Sequence, residues 1–191
     1  MSKLICYKEG KEGTSYTIPN SVISLEPYAF QGSRINTIKL PNNLTSIREY
    51  ALSNTKELTA IYIPESVTEI APSAFAFSSL ERIEVNENNK HYSSKDRVLF
   101  NKDLSTLICY PSSRSDTDYS VSDGVTRIED CSFFGKPLPQ RIIIPDSVTA
   151  IGKNAFFYHY NNIEEIIIKK TEGSISGAPW DAYYATVIWQ K

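Results

Sequence analysis

The stretch Ile63-Pro64-Glu65-Ser66-Val67-Thr68-Glu69-Ile70-Ala71-Pro72-Ser73-Ala74-Phe75, preceded by Leu58-x-x-Ile61 and followed by Leu80-x-x-Ile83-x-Val85, is a unit that the chain repeats. Aligned on the residue before the proline, the copies stand at Ile18, Leu40, Ile63, Val121 and Ile144, with spacings of 22, 23, 58 and 23 residues. Four residues on lie Val22, Leu44, Val67, Val125 and Val148; seven on, Leu25, Ile47, Ile70, Ile128 and Ile151; twelve on, Phe30, Leu52, Phe75, Phe133 and Phe156. The residue before that last column is Ala29, Ala51, Ala74, Ser132 or Ala155. It is small in every copy, as a close approach between packed backbones requires. A fixed period of this length marks stacked supersecondary units whose shared columns form the core.

Each unit opens with an alternating stretch, as in Ile35-x-x-Ile38-x-Leu40, Leu58-x-x-Ile61-x-Ile63 and Ile163-x-x-Ile166-x-Ile168. Its period of two buries one face of a strand, so one short strand per unit is expected. Pro19, Pro41, Pro64 and Pro145 stop the strand, because proline donates nothing to a ladder. Pro27 and Pro72 suit the first position of a helical turn, which predicts brief helical turns over 27–30 and 72–75. A single unit cannot fold alone. Its few large apolar side chains return ~1.5–3 kcal/mol each on burial, against a backbone ordering cost of ~1–2 kcal/mol per residue.

The chain has 191 residues, 41% hydrophobic and 22% charged, enough for a sizeable core. A formal net charge of -2 with scattered Lys and Arg gives no electrostatic footprint for nucleic acid. No apolar run approaches the ~18 residues of a spanning helix, and the N-terminal apolar stretch is too short for a signal peptide. Cys6, Cys109 and Cys131 form no C-x-x-C pair and are odd in number, which suggests neither a disulfide framework nor a zinc site.

The long interval holds Val98-Leu99-Phe100 and Leu107-Ile108-Cys109-Tyr110 about the polar Asn101-Lys102-Asp103, which predicts an inserted β-hairpin. Its second arm recurs at the N-terminus: Leu4-Ile5-Cys6-Tyr7 and Tyr16-x-Ile18 match Leu107-Ile108-Cys109-Tyr110 and Tyr119-x-Val121 at an offset of 103 residues. The chain thus begins inside a unit, as an excised domain would, and Leu4 to Tyr7 is expected to be an edge strand lacking its hairpin partner. After Ile168 the pattern stops, and both tryptophans, Trp180 and Trp189, fall in the tail. The tail reads either as a cap ending in a strand or as an aromatic contact site for a sugar or peptide.

The pattern I-P-x-S-V-x-x-I-x-x-x-A-F followed by L-x-x-I-x-I resembles the BspA-like class of leucine-rich repeats over most of Tyr16 to Ile168. The copies at Ile18, Ile63 and Ile144 carry it nearly intact; Leu52 replaces the phenylalanine in the second, and Ser122 the proline in the fourth. The resemblance implies a leucine-rich repeat solenoid of the α/β horseshoe class, predominantly β, with parallel strands from repeats of ~23 residues. A single domain over 1–191 is expected, with repeats over about 16–168, the hairpin insert over about 86–118 and the cap over about 169–191. Proteins with such repeats are mostly bacterial surface or secreted binding proteins. The resemblance therefore implies a protein or glycan partner and a cell-surface or secreted location.

Reactive constellations are sparse. His91 and His159 have no second histidine or cysteine at ligand spacing. Asn86-Glu87-Asn88-Asn89-Lys90 has the composition of a calcium loop without its sharp-turn glycine or final acidic ligand, so it reads as a solvated turn. Asp116 and Asp118 are a single carboxylate pair, Ser120 to Asp130 contains no histidine base, and the glycines are dispersed. No enzyme, cofactor or metal is expected. What remains is the strand face turned away from the core, where Lys39, Tyr62, Glu84, Ile143 and Ile167 fall in one column. Ile143 and Ile167 reflect either the preference of strands for β-branched residues or a partner surface. The candidate binding residues are Tyr62, Arg82, Glu84, Arg141, Ile143 and Ile167, aligned along one concave surface; a hairpin projecting over it would form a wall. The alternative role is a structural spacer or assembly domain of a larger surface protein.

Overall fold

In a computed structural model of the chain the described residues are 2–4, 7, 15–135, 138–157 and 163–190. The backbone winds as a β-solenoid, and each regular coil contributes a front strand and a back strand. The front strands are the alternating stretches: β2 (Ser15–Thr17), β4 (Thr37–Lys39), β6 (Ala60–Ile63), β8 (Arg82–Val85), β12 (Asp118–Ser120), β14 (Arg141–Ile144), β16 (Glu165–Ile168) and β17 (Thr186–Trp189). The back strands are β1 (Ser2–Leu4), β3 (Val22–Leu25), β5 (Ser46–Ile47), β7 (Glu69–Ile70), β13 (Arg127–Ile128) and β15 (Ala150–Ile151). All pairings among these strands are parallel. A second strand per coil therefore corrects the expectation of one. Back strands of two residues cannot express an alternation, so the sequence conceals them.

The expected helical turns are absent: no helix occurs among the described residues. The reason lies in where alternate N–H groups go. In the first coil Ala29, Gln31 and Ser33 donate to Glu26, Tyr28 and Phe30 within the turn, while Tyr28, Phe30 and Gly32 donate to Glu49, Ala51 and Ser53 of the next coil. A helix needs successive N–H groups for its own carbonyls, and here every second one is lent to a neighbour. Pro27 sets up a turn whose next residue, Tyr28, has φ 63°, outside the helical region.

The expected column is buried but divided between two cores, with Phe30, Leu52 and Phe75 in the first and Phe133 and Phe156 in the second. Phe30, Leu52, Phe133 and Phe156 are fully buried and Phe75 nearly so. The N–H groups of Phe30, Leu52 and Phe133 donate to the carbonyls of Ala51, Ala74 and Ala155 (2.7, 2.9 and 2.8 Å). This is why the preceding position must be small. The 103-residue correspondence also appears in space: Tyr7 stacks on Phe30 at 5.1 Å as Tyr110 stacks on Phe133 at 5.0 Å. β1 spans Ser2–Leu4, earlier than the expected Leu4 to Tyr7, and pairs with β3. Residues 5 and 6 of that expectation lie outside the described residues.

The insert contains β9 (Tyr92–Lys95), β10 (Val98–Asn101) and β11 (Thr106–Cys109), paired antiparallel in sequence order. β9 was not legible. It does not project over the front. Instead, the β10–β11 ladder stands inside the stack as a partition. Leu99, Ile108 and Cys109 pack into the core of the preceding coils, and Val98, Phe100, Leu107 and Tyr110 into that of the following coils.

The tail closes the second core. Trp180 is buried against Phe156, with ring centroids 6.4 Å apart, and its indole N–H donates to the Ser176 carbonyl at 2.7 Å. β17 adds a parallel strand to β16, setting Trp189 beside Ile168.

Candidate functional site

The front strands bury every second residue and present the others, as in the exposed Arg82 and Glu84 flanking buried Ile83 in β8. In the first half Tyr62 stands opposite Glu84, and Arg82 opposite Ala60. Tyr62 is 51% exposed, and Arg82 Nε lies 3.3 Å from Glu84 Oε1. In the second half one row reads Asp118, Arg141, Glu165, Thr186 and the next Ser120, Ile143, Ile167, Ile188. Arg141 donates through Nε to Glu165 at 2.9 Å and through Nη1 to Asp118 at 3.1 Å. Its hydrogen bond to Glu165, followed by the charges of Asp118 and Glu165, raises its pKa above the ordinary arginine value. Exposed ion pairs of this kind are screened by water and add little to stability, so this ladder orients side chains more than it stabilises the fold. Beside it, Ile143, Ile167 and Ile188 make a half-buried apolar stripe. Thr117, Asp118, Gln140, Arg141, Glu164 and Glu165 line a shallow polar groove at the start of these strands.

The six sequence-predicted residues thus fall into two panels, with Tyr62, Arg82 and Glu84 on one and Arg141, Ile143 and Ile167 on the other. They do not form the single aligned surface expected. Ladder pairing links β6 to β8, and separately β12 through β14 and β16 to β17. The β9–β10 turn lies against the edge of β8, where the Ile83 N–H donates to the Arg97 carbonyl at 3.0 Å. Asp118, read from the sequence only as half of a carboxylate pair, Glu165 and Ile188 complete these rows. The first two become visible only through the cross-strand register, and Ile188 was hidden because the tail loses the Ile-Pro pattern while keeping a strand.

The remaining candidate groups are occupied structurally. Asp116 accepts a hydrogen bond from the Tyr110 hydroxyl at 2.8 Å and pairs with Arg114 Nε at 2.7 Å, while Asp118 pairs with Arg141. The segment Asn86–Lys90, expected to be a solvated turn, is instead a peg set into the core. Asn89 is fully buried; its Nδ2 donates to the carbonyls of Pro64 and Val67, and its Oδ1 accepts the N–H groups of His91 and Tyr92. Cys109 and Cys131 are both free and line a small cavity with Phe75, Tyr110 and Phe134. Burial, reinforced by Cys131, pushes the Cys109 thiol up to about 12, and burial followed by the charges of Asp130 and Asp181 pushes Cys131 up to about 11. Thiols held neutral in this way are poor nucleophiles. His91 is exposed beside Tyr92, and His159 and Cys6 lie outside the described residues. Among the described residues no group of three or more His, Cys, Asp or Glu comes together to hold a metal ion. No helix there is long and apolar enough to cross a membrane.

With coils, columns and front panels in place, comparison with known proteins assigns the chain to a class. It belongs to the family described as the BspA type leucine rich repeat region, whose model matches residues 5–115 and 108–178 in 6 copies. Among solved structures, it is similar to a leucine-rich repeat protein from Eubacterium ventriosum at 26% identity and a TM-score of 0.67, covering 92% of this chain and 50% of that one. A leucine rich cell surface protein from Faecalibacterium prausnitzii shares the fold at 24% identity and a TM-score of 0.66, over 93% of this chain and 60% of that one. The pneumococcal vaccine antigen PcpA does so at 18% identity and a TM-score of 0.60, over 97% of this chain and 69% of that one. No curated protein matches the sequence. The chain spans about half the length of the Eubacterium protein.

Proposed function

We propose that this chain is a non-catalytic binding module that presents its front panels to a protein or glycan partner at the bacterial surface or outside the cell. The observation that carries the reading is the juxtaposition of an exposed aromatic, Tyr62, with the Arg82–Glu84 pair on one panel and of the Ile143–Ile167 stripe with Arg141 on the other. Aromatic and arginine anchors surrounded by apolar area are the usual sources of interface affinity. Tyr62, Arg82 and Arg141 would act as anchors, and Ile143 and Ile167 would supply desolvated area. The surface location comes from the family resemblance; the description of the Faecalibacterium protein as a cell surface protein belongs to that protein. A single repeat domain over 1–191 is part of the same reading.

The test is to probe immobilised glycan and extracellular-protein arrays with the purified chain and with a Tyr62→Ala, Ile143→Ser double variant. The double variant should fold normally and lose at least about tenfold in affinity, or ~1.4 kcal/mol. Binding that survives these changes would place the contact elsewhere. The second reading is a spacer or assembly domain of a larger surface protein. It predicts no front-face ligand at all.

A further inference from the structure

Two free thiols away from the front panels share one space. Cys109 ends β11, the inner strand of the partition, and Cys131 lies in the turn of the next coil. Both line the same small cavity, together with Phe75, Tyr110 and Phe134. The residues that follow them are joined directly: the Tyr110 N–H donates to the Ser132 carbonyl at 2.8 Å. That bond sets the two segments side by side as neighbouring strands are, so Cys109 and Cys131 stand as diagonal neighbours, roughly 6 Å apart at Cα. Disulfides span Cα separations of ~4.4–6.8 Å.

The repeat does not account for Cys131. Ten residues past the alignment point the coils carry Tyr28, Tyr50, Ser73, Cys131 and Asn154, a column with no common size or polarity, unlike the small and the large apolar columns that follow it. Neither sulfur is held hard in place. The Cys109 S–H donates to the Tyr110 carbonyl at 3.8 Å, a weak contact, and the cavity leaves both sulfurs room to turn that a close-packed core would deny them. Cys131 is half-buried, so a small oxidant can reach it, whereas Cys109 is buried.

We propose that Cys109 and Cys131 form a redox site, closed by a low-molecular-weight disulfide such as oxidised glutathione into an intramolecular disulfide that staples the partition to the coil after it. The Cys131 thiolate attacks one sulfur of the oxidant, whose S–S bond breaks and releases one glutathione thiol carrying the proton that Cys131 gave up. Cys109 then gives its proton to solvent and attacks Cys131 Sγ in the mixed disulfide, and the second glutathione leaves as a thiolate that takes up a proton. Two protein thiols thereby lose two electrons and two protons, and one small disulfide becomes two thiols. Because the attacking species is the thiolate and burial keeps both thiols protonated, closure is slow near neutral pH and quickens as pH rises. The bond ties residues 109 and 131 in the unfolded chain as well as the folded one, which favours the folded state. This inference is independent of whether the front panels bind a ligand.

The test is to incubate the folded full chain with oxidised glutathione at pH of about 8.5, alkylate the remaining thiols in urea, and map the cysteines by mass spectrometry without reduction. The expected product is a monomer two hydrogens lighter in which 109 and 131 are cross-linked. Cys6→Ser should form it as readily as wild type, and its rate should rise about tenfold for each pH unit below the thiol pKa values. The oxidised Cys6→Ser chain should also unfold at higher urea than the reduced one, by roughly 1 M, and Cys131→Ser should show neither the cross-link nor the shift. Should Cys131→Ser fail to fold, the cross-link map and the oxidised-against-reduced midpoint of Cys6→Ser decide the matter without it. Cys109 and Cys131 both recovered as alkylated thiols overturn the proposal. So does a disulfide that uses Cys6 or joins two chains, a mixed disulfide at Cys131 that Cys109 never resolves, or a 109–131 bond that leaves the urea midpoint unmoved.

Discussion

Asn89 stands in the column that holds Val22, Leu44, Val67, Val125 and Val148 in the other coils, and it is as deeply buried as they are. A polar group is stable there because its amide makes four hydrogen bonds, two donated and two accepted. Counting back four residues from Asn89 reaches Val85, so the coil after Ile63 keeps the repeat register but replaces proline with Asn86. Without that proline the repeat is not legible at 86–90. Replacing Asn89 by the column's own valine should therefore destabilise the protein. It removes the partner of the Val67 carbonyl and of the part-buried His91 and Tyr92 N–H groups, and a buried group left unpaired costs ~1–3 kcal/mol. Urea unfolding of Asn89→Val should show a loss of at least about 2 kcal/mol. A variant as stable as wild type would show that these bonds contribute nothing net.

Among the elements, the front strands were legible because a period of two runs through three or four residues, as in Ile61 and Ile63 or Ile166 and Ile168. The back strands and the turns were not, because their conformation is set by which coil receives each N–H rather than by side-chain pattern. β9 was hidden for a related reason: Tyr-Ser-Ser-Lys reads as polar, yet the Tyr92 hydroxyl accepts the Ile70 N–H at 2.8 Å where a further back strand would stand. Of the candidate site, Tyr62 and Ile143 were readable from alternation, while the Asp118–Arg141–Glu165 ladder needed the register. The packing around β11 also carries a pH dependence. Burial raises the pKa of Tyr110 and Tyr119 above the ordinary tyrosine value and of Cys109 from 9.0 to about 12. For such groups the folded chain holds its protons more tightly than the unfolded one. The contribution is therefore complete below the unfolded pKa and is lost as pH rises through the folded value. Thermal unfolding should thus be flat in these groups up to pH of about 9 and decline progressively toward about 12. A melting temperature that stays constant over that interval would show that the thiol and the phenols are not sealed in the fold.

At the scale of the molecule, the two halves meet at the β10–β11 ladder, which gives Leu99 and Ile108 to one core and Val98, Phe100 and Leu107 to the other. The halves are further joined where the Phe77 N–H donates to the Phe134 carbonyl at 2.9 Å and the Ser112 hydroxyl to the Ser78 carbonyl at 2.8 Å. Gly135 permits this approach, because a Cβ there would lie 2.5 Å from Ser112 Cβ. Repeat arrays can lose cooperativity between distant units. A partition shared by both cores should prevent that here and hold the two front panels in a fixed relation. The protein supplies its own reporter, since both tryptophans, Trp180 and Trp189, pack in the second core. The most direct test is urea unfolding of wild type and Leu52→Ala, followed by tryptophan fluorescence and by far-ultraviolet circular dichroism. Leu52 is fully buried in the first core, so its truncation should cost ~2–5 kcal/mol. The account predicts coincident transitions by both probes in wild type, shifted together in the variant although the mutation lies in the other core. A tryptophan transition unmoved by Leu52→Ala, with a biphasic dichroism curve, would contradict it and show two independently folding halves.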